Sequence, residues 1–114
     1  MLNLDSHGIE DDFLVNLREL SNLKVYSLNY NAISSIPIEI ERLTNLTVIN
    51  LNANKISVIP EFLGQLSSLT RLGLRFIQIT EVPLCIGQLS SLTTLRLGGN
   101  PITEIPRDLC IGQL

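Results

Sequence analysis

The amino-acid sequence predicts an α/β solenoid, with a short parallel sheet along a concave side and helical or 3-10 turns returning along a convex side. Three observations carry this. Proline recurs every 23 residues at Pro37, Pro60, Pro83 and Pro106, each time after a β-branched residue (Ile36, Ile59, Val82, Ile105). Apolar pairs recur in the same frame at Tyr26/Leu28, Ile49/Leu51, Leu72/Leu74 and Leu95/Leu97. A polar column, Asn31, Asn54 and Asn100, is interrupted by Ile77. A fixed period in the twenties marks a stacked repeat, in which each unit buries its apolar face against its neighbours.

The clearest unit runs from Leu43 to Leu66, LTNLTVINLNANKISVIPEFLGQL. Its apolar residues change period part-way. Around Ile49 and Leu51 they alternate, so these two point inward from a strand while Val48 and Asn50 point outward. Asn54 then fills a turn, where a short side chain with both donor and acceptor satisfies backbone groups that the sheet leaves behind. Pro60 opens the return segment, its fixed φ and missing N–H suiting the first position of a helical turn. After it the apolar spacing lengthens to three-residue steps, and Leu63, like Ile40, Ile86 and Leu109 in the other units, closes the core from the convex side.

This frame, LxxLxLxxNxIxxIPxxI, resembles that of leucine-rich repeat proteins, and its 23-residue spacing is similar to the intracellular Ras-associated class. The likeness spans nearly the whole chain and rests on about ten positions per turn that agree in four turns. It implies a leucine-rich repeat solenoid acting as a non-catalytic protein–protein interaction module, a signalling scaffold in the cytoplasm. By the same analogy the partner would be a small GTPase or a phosphatase subunit. Other classes stay open: the substrate-recognition part of a larger leucine-rich repeat enzyme such as a kinase or ubiquitin ligase, or a unit that self-assembles end to end.

The units divide the chain into a partial first unit over 1–19, full units over 20–42, 43–65 and 66–88, and an irregular last unit over 89–114, all in one domain. In the first unit His7 stands in the asparagine column and Phe13 in the proline position, and a short helix capped by Asp12 is expected to follow. In the last, CIGQL returns 25 residues after its first appearance rather than 23. Neither end shows the polar layer that covers a solenoid terminus. Two internal irregularities also stand out. Ile77 cannot make the asparagine hydrogen bonds, so a local weak point is expected at its turn. Tyr26 occupies an inward column, where its hydroxyl needs a partner or an exit to solvent.

Composition narrows the function. The chain of 114 residues is 45% hydrophobic but only 4% aromatic, which suits identical leucine and isoleucine layers. A net charge of −3 is too small to argue for nucleic acid or a membrane surface. No apolar run approaches the roughly 20 residues of a membrane span, and the first residues, MLNLDSHGIEDD, lack the features of a secretory leader. Cys85 and Cys110 are isolated, so reduced thiols are expected rather than a disulfide or metal site. With a single histidine and acids spread over the return loops, no catalytic constellation, metal site or cofactor is expected.

Binding is expected on the concave face, whose outward positions form the rows Val25/Ser27/Asn29/Tyr30, Val48/Asn50/Asn52/Ala53, Arg71/Gly73/Arg75/Phe76 and Thr94/Arg96/Gly98/Gly99. Three of the eight basic residues fall in these rows and none of the acids. The candidate protein-binding residues are Tyr30, Asn50, Asn52, Arg71, Arg75, Phe76, Thr94 and Arg96. Tyrosine, phenylalanine and arginine in such a group are typical of interaction hot spots. The arginines point to an Asp/Glu-rich or phosphorylated partner segment.

Overall fold

Five short strands form, β1 Leu2–Asn3, β2 Val25–Ser27, β3 Val48–Asn50, β4 Arg71–Gly73 and β5 Thr94–Arg96, the last four each built around a central inward side chain. The computed structural model describes residues 2, 3, 5, 8, 22–36 and 38–103. The strands pair in parallel in chain order, β1-β2-β3-β4-β5. From β2 onward the register advances by the repeat length, Val48 beside Arg71 and Arg71 beside Thr94. Leu2 lies beside Tyr26, so the first step is one residue longer than the rest. The expected helix after Asp12, the turn at His7, Leu109, Cys110 and both chain ends lie outside the described residues.

Each coil contributes the same buried columns. Tyr26, Ile49 and Leu72 enter from the strands, followed by Leu28, Leu51 and Leu74, then by Ile33, Ile56 and Ile79 beyond the turn. Ile40, Leu63 and Ile86 close the stack from the convex side. Burying each such side chain stabilises the fold by about 1.5–3 kcal/mol before ordering entropy is subtracted. Like residues stack on like, so a coil's core is complete only when its neighbours are present.

The return segments are 3-10 helices at Ile38–Arg42, Glu61–Gln65 and Leu84–Gln88. Five residues per helix are too few for a stable α-helix, and the tighter winding fits the short path back to the sheet. Pro60 and Pro83 sit one position earlier than the sequence predicts. They are extended N-cap residues, with ψ of 149° and 157°, rather than first helical residues. Their fixed φ suits either position, and their carbonyls accept the N–H groups of Leu63 and Ile86. Gly64 lies against the neighbouring 3-10 helix, Leu84–Gln88. A Cβ there would lie 2.9 Å from the Cys85 carbonyl oxygen.

Asn54 is buried and links two coils. Its Nδ2 donates to the carbonyls of Leu28 at 2.9 Å and Leu51 at 3.1 Å, and its Oδ1 accepts the Ile33 N–H at 3.1 Å. Two repeats further on, Asn100 makes the same two donations, to Leu74 at 2.7 Å and Leu97 at 2.8 Å, while its buried Oδ1 has no hydrogen-bond partner among the described residues. This bridging explains how Ile77 is tolerated. The two carbonyls an asparagine at 77 would serve, those of Leu51 and Leu74, already receive Asn54 and Asn100. Gln78 still donates its N–H to Ile56 at 2.7 Å, so the backbone link across the turn persists. Ile77 itself is buried and adds to the core. What it removes is one side-chain link between the coils of β3 and β4.

Tyr26 has no exit to solvent. Its side chain is wholly buried, and among the described residues its hydroxyl has no hydrogen-bond partner. Burial pushes the hydroxyl well above the usual tyrosine range. Tyr26→Phe should therefore stabilise the fold by about 1 kcal/mol, since it removes a desolvated polar group without opening a cavity. The folded state holds the phenolic proton more tightly than the unfolded chain. Tyr26 thus adds no pH dependence below about pH 10, the unfolded value, and costs stability progressively as pH rises above it. Denaturant midpoints at neutral and alkaline pH check this; the gain from Tyr26→Phe should widen at the alkaline end.

Candidate functional site

The candidate site lies on the exposed face of β3, β4 and β5 and on the turns that follow the strands. Pleating sends Arg71 and Gly73 outward from β4 and Thr94 and Arg96 outward from β5. Register places Arg71 beside Thr94 and Arg96 beside Gly73, so Arg96 stands between Arg71 and Arg75 on the neighbouring strand. All three arginines are exposed. Strands are about 4.8 Å apart, so three positive groups share a small area.

The eight candidate residues line two adjoining hollows. The first, of about 200 Å³, is lined by Asn50, Arg71, Thr94 and Arg96, together with Val48, Leu72 and Gly73. The second, of about 250 Å³, is bounded by Tyr30, Asn52, Arg75, Phe76 and Arg96, together with Asn29. Arg96 is common to both.

Backbone conformation sets the aromatic rim. Tyr30, Ala53 and Phe76 hold left-handed φ values of 59°, 58° and 55°, and Gly99 takes 76° in the same column. This turns the Tyr30 and Phe76 side chains out to solvent, leaving them 68% and 56% exposed. Two glycines make room for their neighbours. A Cβ on Gly99 would fall 2.2 Å from the Phe76 ring, and one on Gly98 3.4 Å from Arg75 Nε. The Arg75–Phe76 pair therefore lies across the Gly98–Gly99 backbone. The Arg75 guanidinium stands 5.1 Å from the Phe76 ring centroid, within cation–π range.

A polar ladder on this face was not foreseen from the sequence. Asp5 Oδ1 accepts the Asn29 N–H at 2.7 Å, Asn29 Oδ1 accepts the Asn52 N–H at 2.8 Å, and Asn52 Oδ1 accepts the Arg75 N–H at 2.7 Å. Each rung ties a turn to the turn of the next coil. Gly73 leaves space for it, since a Cβ there would meet Asn50 Oδ1 and Asn52 Nδ2 at 2.9 Å. The signal was the run of Asp5, Asn29 and Asn52 at corresponding positions, and the one-residue offset of the first unit concealed its start. Asp5 also places a carboxylate beside β1, at the opposite end of the face from the arginines. A second ladder, of threonine hydroxyls, runs along the strand starts, where Thr70 and Thr93 donate to the carbonyls of Thr47 and Thr70 at 3.0 Å and 3.1 Å.

On the convex side Cys85 is a free, buried thiol, with Sγ 3.6 Å from the Pro60 carbonyl oxygen. Burial, and then the nearby Glu61 charge, raise its pKa, which keeps it in the unreactive thiol form.

Two family profiles match the chain: "Leucine-rich repeat region" over residues 1–97 and "Leucine Rich Repeat" over residues 91–111. The chain belongs to the leucine-rich repeat family. Among curated proteins no sequence matches it. A solved leucine-rich repeat protein from Leptospira interrogans is 36% identical over 88% of this chain, with a TM-score of 0.81. The leucine-rich repeat domain of APL1B superposes over 96% of the chain with a TM-score of 0.86 at 20% identity, a likeness of fold alone. The chain spans 25% of the Leptospira chain and 34% of the APL1B chain. The fold is thus a leucine-rich repeat solenoid with a concave parallel sheet. Domains of this family are typically non-catalytic and generally mediate protein–protein interaction. Among the described residues no helix is long and apolar enough to cross a membrane.

Proposed function

We propose that this chain binds a protein partner on its concave sheet, through Tyr30, Asn50, Asn52, Arg71, Arg75, Phe76, Thr94 and Arg96. The observation that supports the reading is the convergence of three exposed guanidinium groups and two exposed aromatic rings on adjoining hollows. Guanidinium groups repel one another when nothing is bound, and an acidic or phosphorylated segment relieves that repulsion while accepting bidentate hydrogen bonds. Rigid, stacked strands hold the donors in place, so little ordering entropy is lost on binding. The resemblance to Ras-associated proteins supports a signalling scaffold that engages a small GTPase or a phosphatase subunit.

The test is quantitative binding to a purified candidate partner in rising salt. Affinity should fall as salt rises, and Arg75→Glu should weaken binding about tenfold or more, as expected for a hot-spot arginine. Arg42→Glu, on the convex 3-10 helix Ile38–Arg42, changes the same charge off this face and should have little effect. Equal losses from the two reversals would show that overall charge, not this face, controls binding.

A further inference from the structure

The concave ladder stops one rung short of the last described strand. Asp5, Asn29 and Asn52 each present a side-chain oxygen to the N–H of the corresponding residue one coil on. The next rung would start at residue 75 and serve Gly98. Arginine stands there instead, and a guanidinium has only donors. Gly98 is exposed, and among the described residues its N–H has no partner. Arg75 Nε passes close over it, the Phe76 ring steadies the guanidinium at 5.1 Å, and Arg96 borders the same hollow. Donors therefore converge on the one place where the repeat elsewhere supplies an acceptor.

We propose that Gly98, Arg75 and Arg96 form a carboxylate subsite, in which an aspartate or glutamate side chain of a protein partner supplies the missing rung. This rests on the reading of the concave face as a protein-binding surface. The molecule shows at its other end how such a rung works. Asp5 Oδ1 accepts both the Asn29 N–H and the Ser27 hydroxyl at 2.7 Å. At Gly98 one carboxylate oxygen takes the backbone N–H while its partner faces the guanidinium groups. An amide side chain would fill the rung but forgo the charge-assisted pairing, and a lysine on this strand could not offer the planar fork. Gly98 serves the subsite by giving the Arg75 side chain room, since a Cβ there would lie 3.4 Å from Arg75 Nε.

The test uses amide NMR of the whole chain, titrated separately with an oligo-aspartate peptide, an oligo-asparagine peptide and inorganic phosphate. Oligo-aspartate should shift the Gly98 amide and the Arg75 Nε–H saturably; oligo-asparagine should need at least about tenfold higher concentration to shift the Gly98 amide, and phosphate should not shift it. A Gly98 amide that stays unmoved, that moves no more than those of Arg42 and Lys55, or that responds equally to phosphate overturns the carboxylate subsite. A second arm reads the rung itself. Arg75→Asn restores the rung within the chain, so Gly98 amide exchange should slow about tenfold and oligo-aspartate binding should drop about tenfold or more. Arg75→Gln removes the charge with a side chain one methylene longer than a rung, so it should lose binding without protecting Gly98. Equal Gly98 exchange in the two variants overturns the missing-rung account. The broader reading fails differently: if Arg71→Glu, outside this subsite, also leaves a purified partner's affinity unchanged, the concave face is not the binding surface at all.

Discussion

Asn54→Ala should destabilise the fold by about 3 kcal/mol, measured as a shift in chemical denaturation. The substitution strips the Ile33 N–H of its side-chain acceptor and the Leu51 carbonyl of its side-chain donor, in a buried turn. Each stranded buried group costs about 1–3 kcal/mol. The Leu28 carbonyl suffers less, because Asn31 also donates to it at 3.0 Å. Leu51 has no such second donor, since residue 77 is isoleucine. Ile77→Asn alone should be close to neutral, exchanging apolar burial for restored hydrogen bonds. Combined with Asn54→Ala it should recover about 1 kcal/mol, because a donor returns to Leu51. Strict additivity of the two substitutions would show that the asparagines do not share carbonyls as the structure indicates.

Gly64→Ala should cost about 2 kcal/mol, although alanine is ordinarily the better residue in a helical segment. The new methyl would meet Gln88 Oε1 at 2.5 Å, the Cys85 carbonyl oxygen at 2.9 Å and Cys85 Cβ at 3.2 Å. Gln88 can swing aside, but the Cys85 carbonyl belongs to the neighbouring 3-10 helix and yields only if that helix shifts outward. Overpacking of this kind typically costs about 1–3 kcal/mol, more than the gain in backbone entropy returns. Thermal denaturation checks it. An unchanged or raised midpoint would mean that the convex helices slide apart freely.

The repeat and its inward columns were legible because stacking imposes them: every coil must offer the same apolar atoms at the same height. Leu51 and Leu74 could be assigned to the core from the frame alone. The exposed arginines were legible for the same reason, since a strand position adjacent to a buried one must face outward. The sharing of carbonyls between successive asparagines was not. It depends on the vertical offset of one coil against the next, which a single unit does not encode. Nor was the concave ladder, because Asn29 and Asn52 read as plain surface residues until each oxygen is seen to meet an N–H of the following coil. Gly64 escaped notice because the contact that requires it lies a full repeat away, at Cys85.

Ile77 has a consequence for how the molecule transmits strain. A stacked protein behaves as a one-dimensional chain of units, each held by its own energy and by a coupling to the next. Asn54 and Asn100 strengthen the couplings on either side, whereas the junction between the β3 and β4 coils lacks its link from the asparagine column and keeps those of Asn52 and Thr70. Without the asparagine link, fluctuations that split the array have a place to start at this junction, dividing it into two blocks that open with some independence. The paired hollows straddle the same line, with Asn50 and Asn52 on one block and Arg71 and Arg75 on the other. A partner seated across both would therefore act as a clamp, raising the cooperativity of the whole array by bridging the joint that lacks its asparagine.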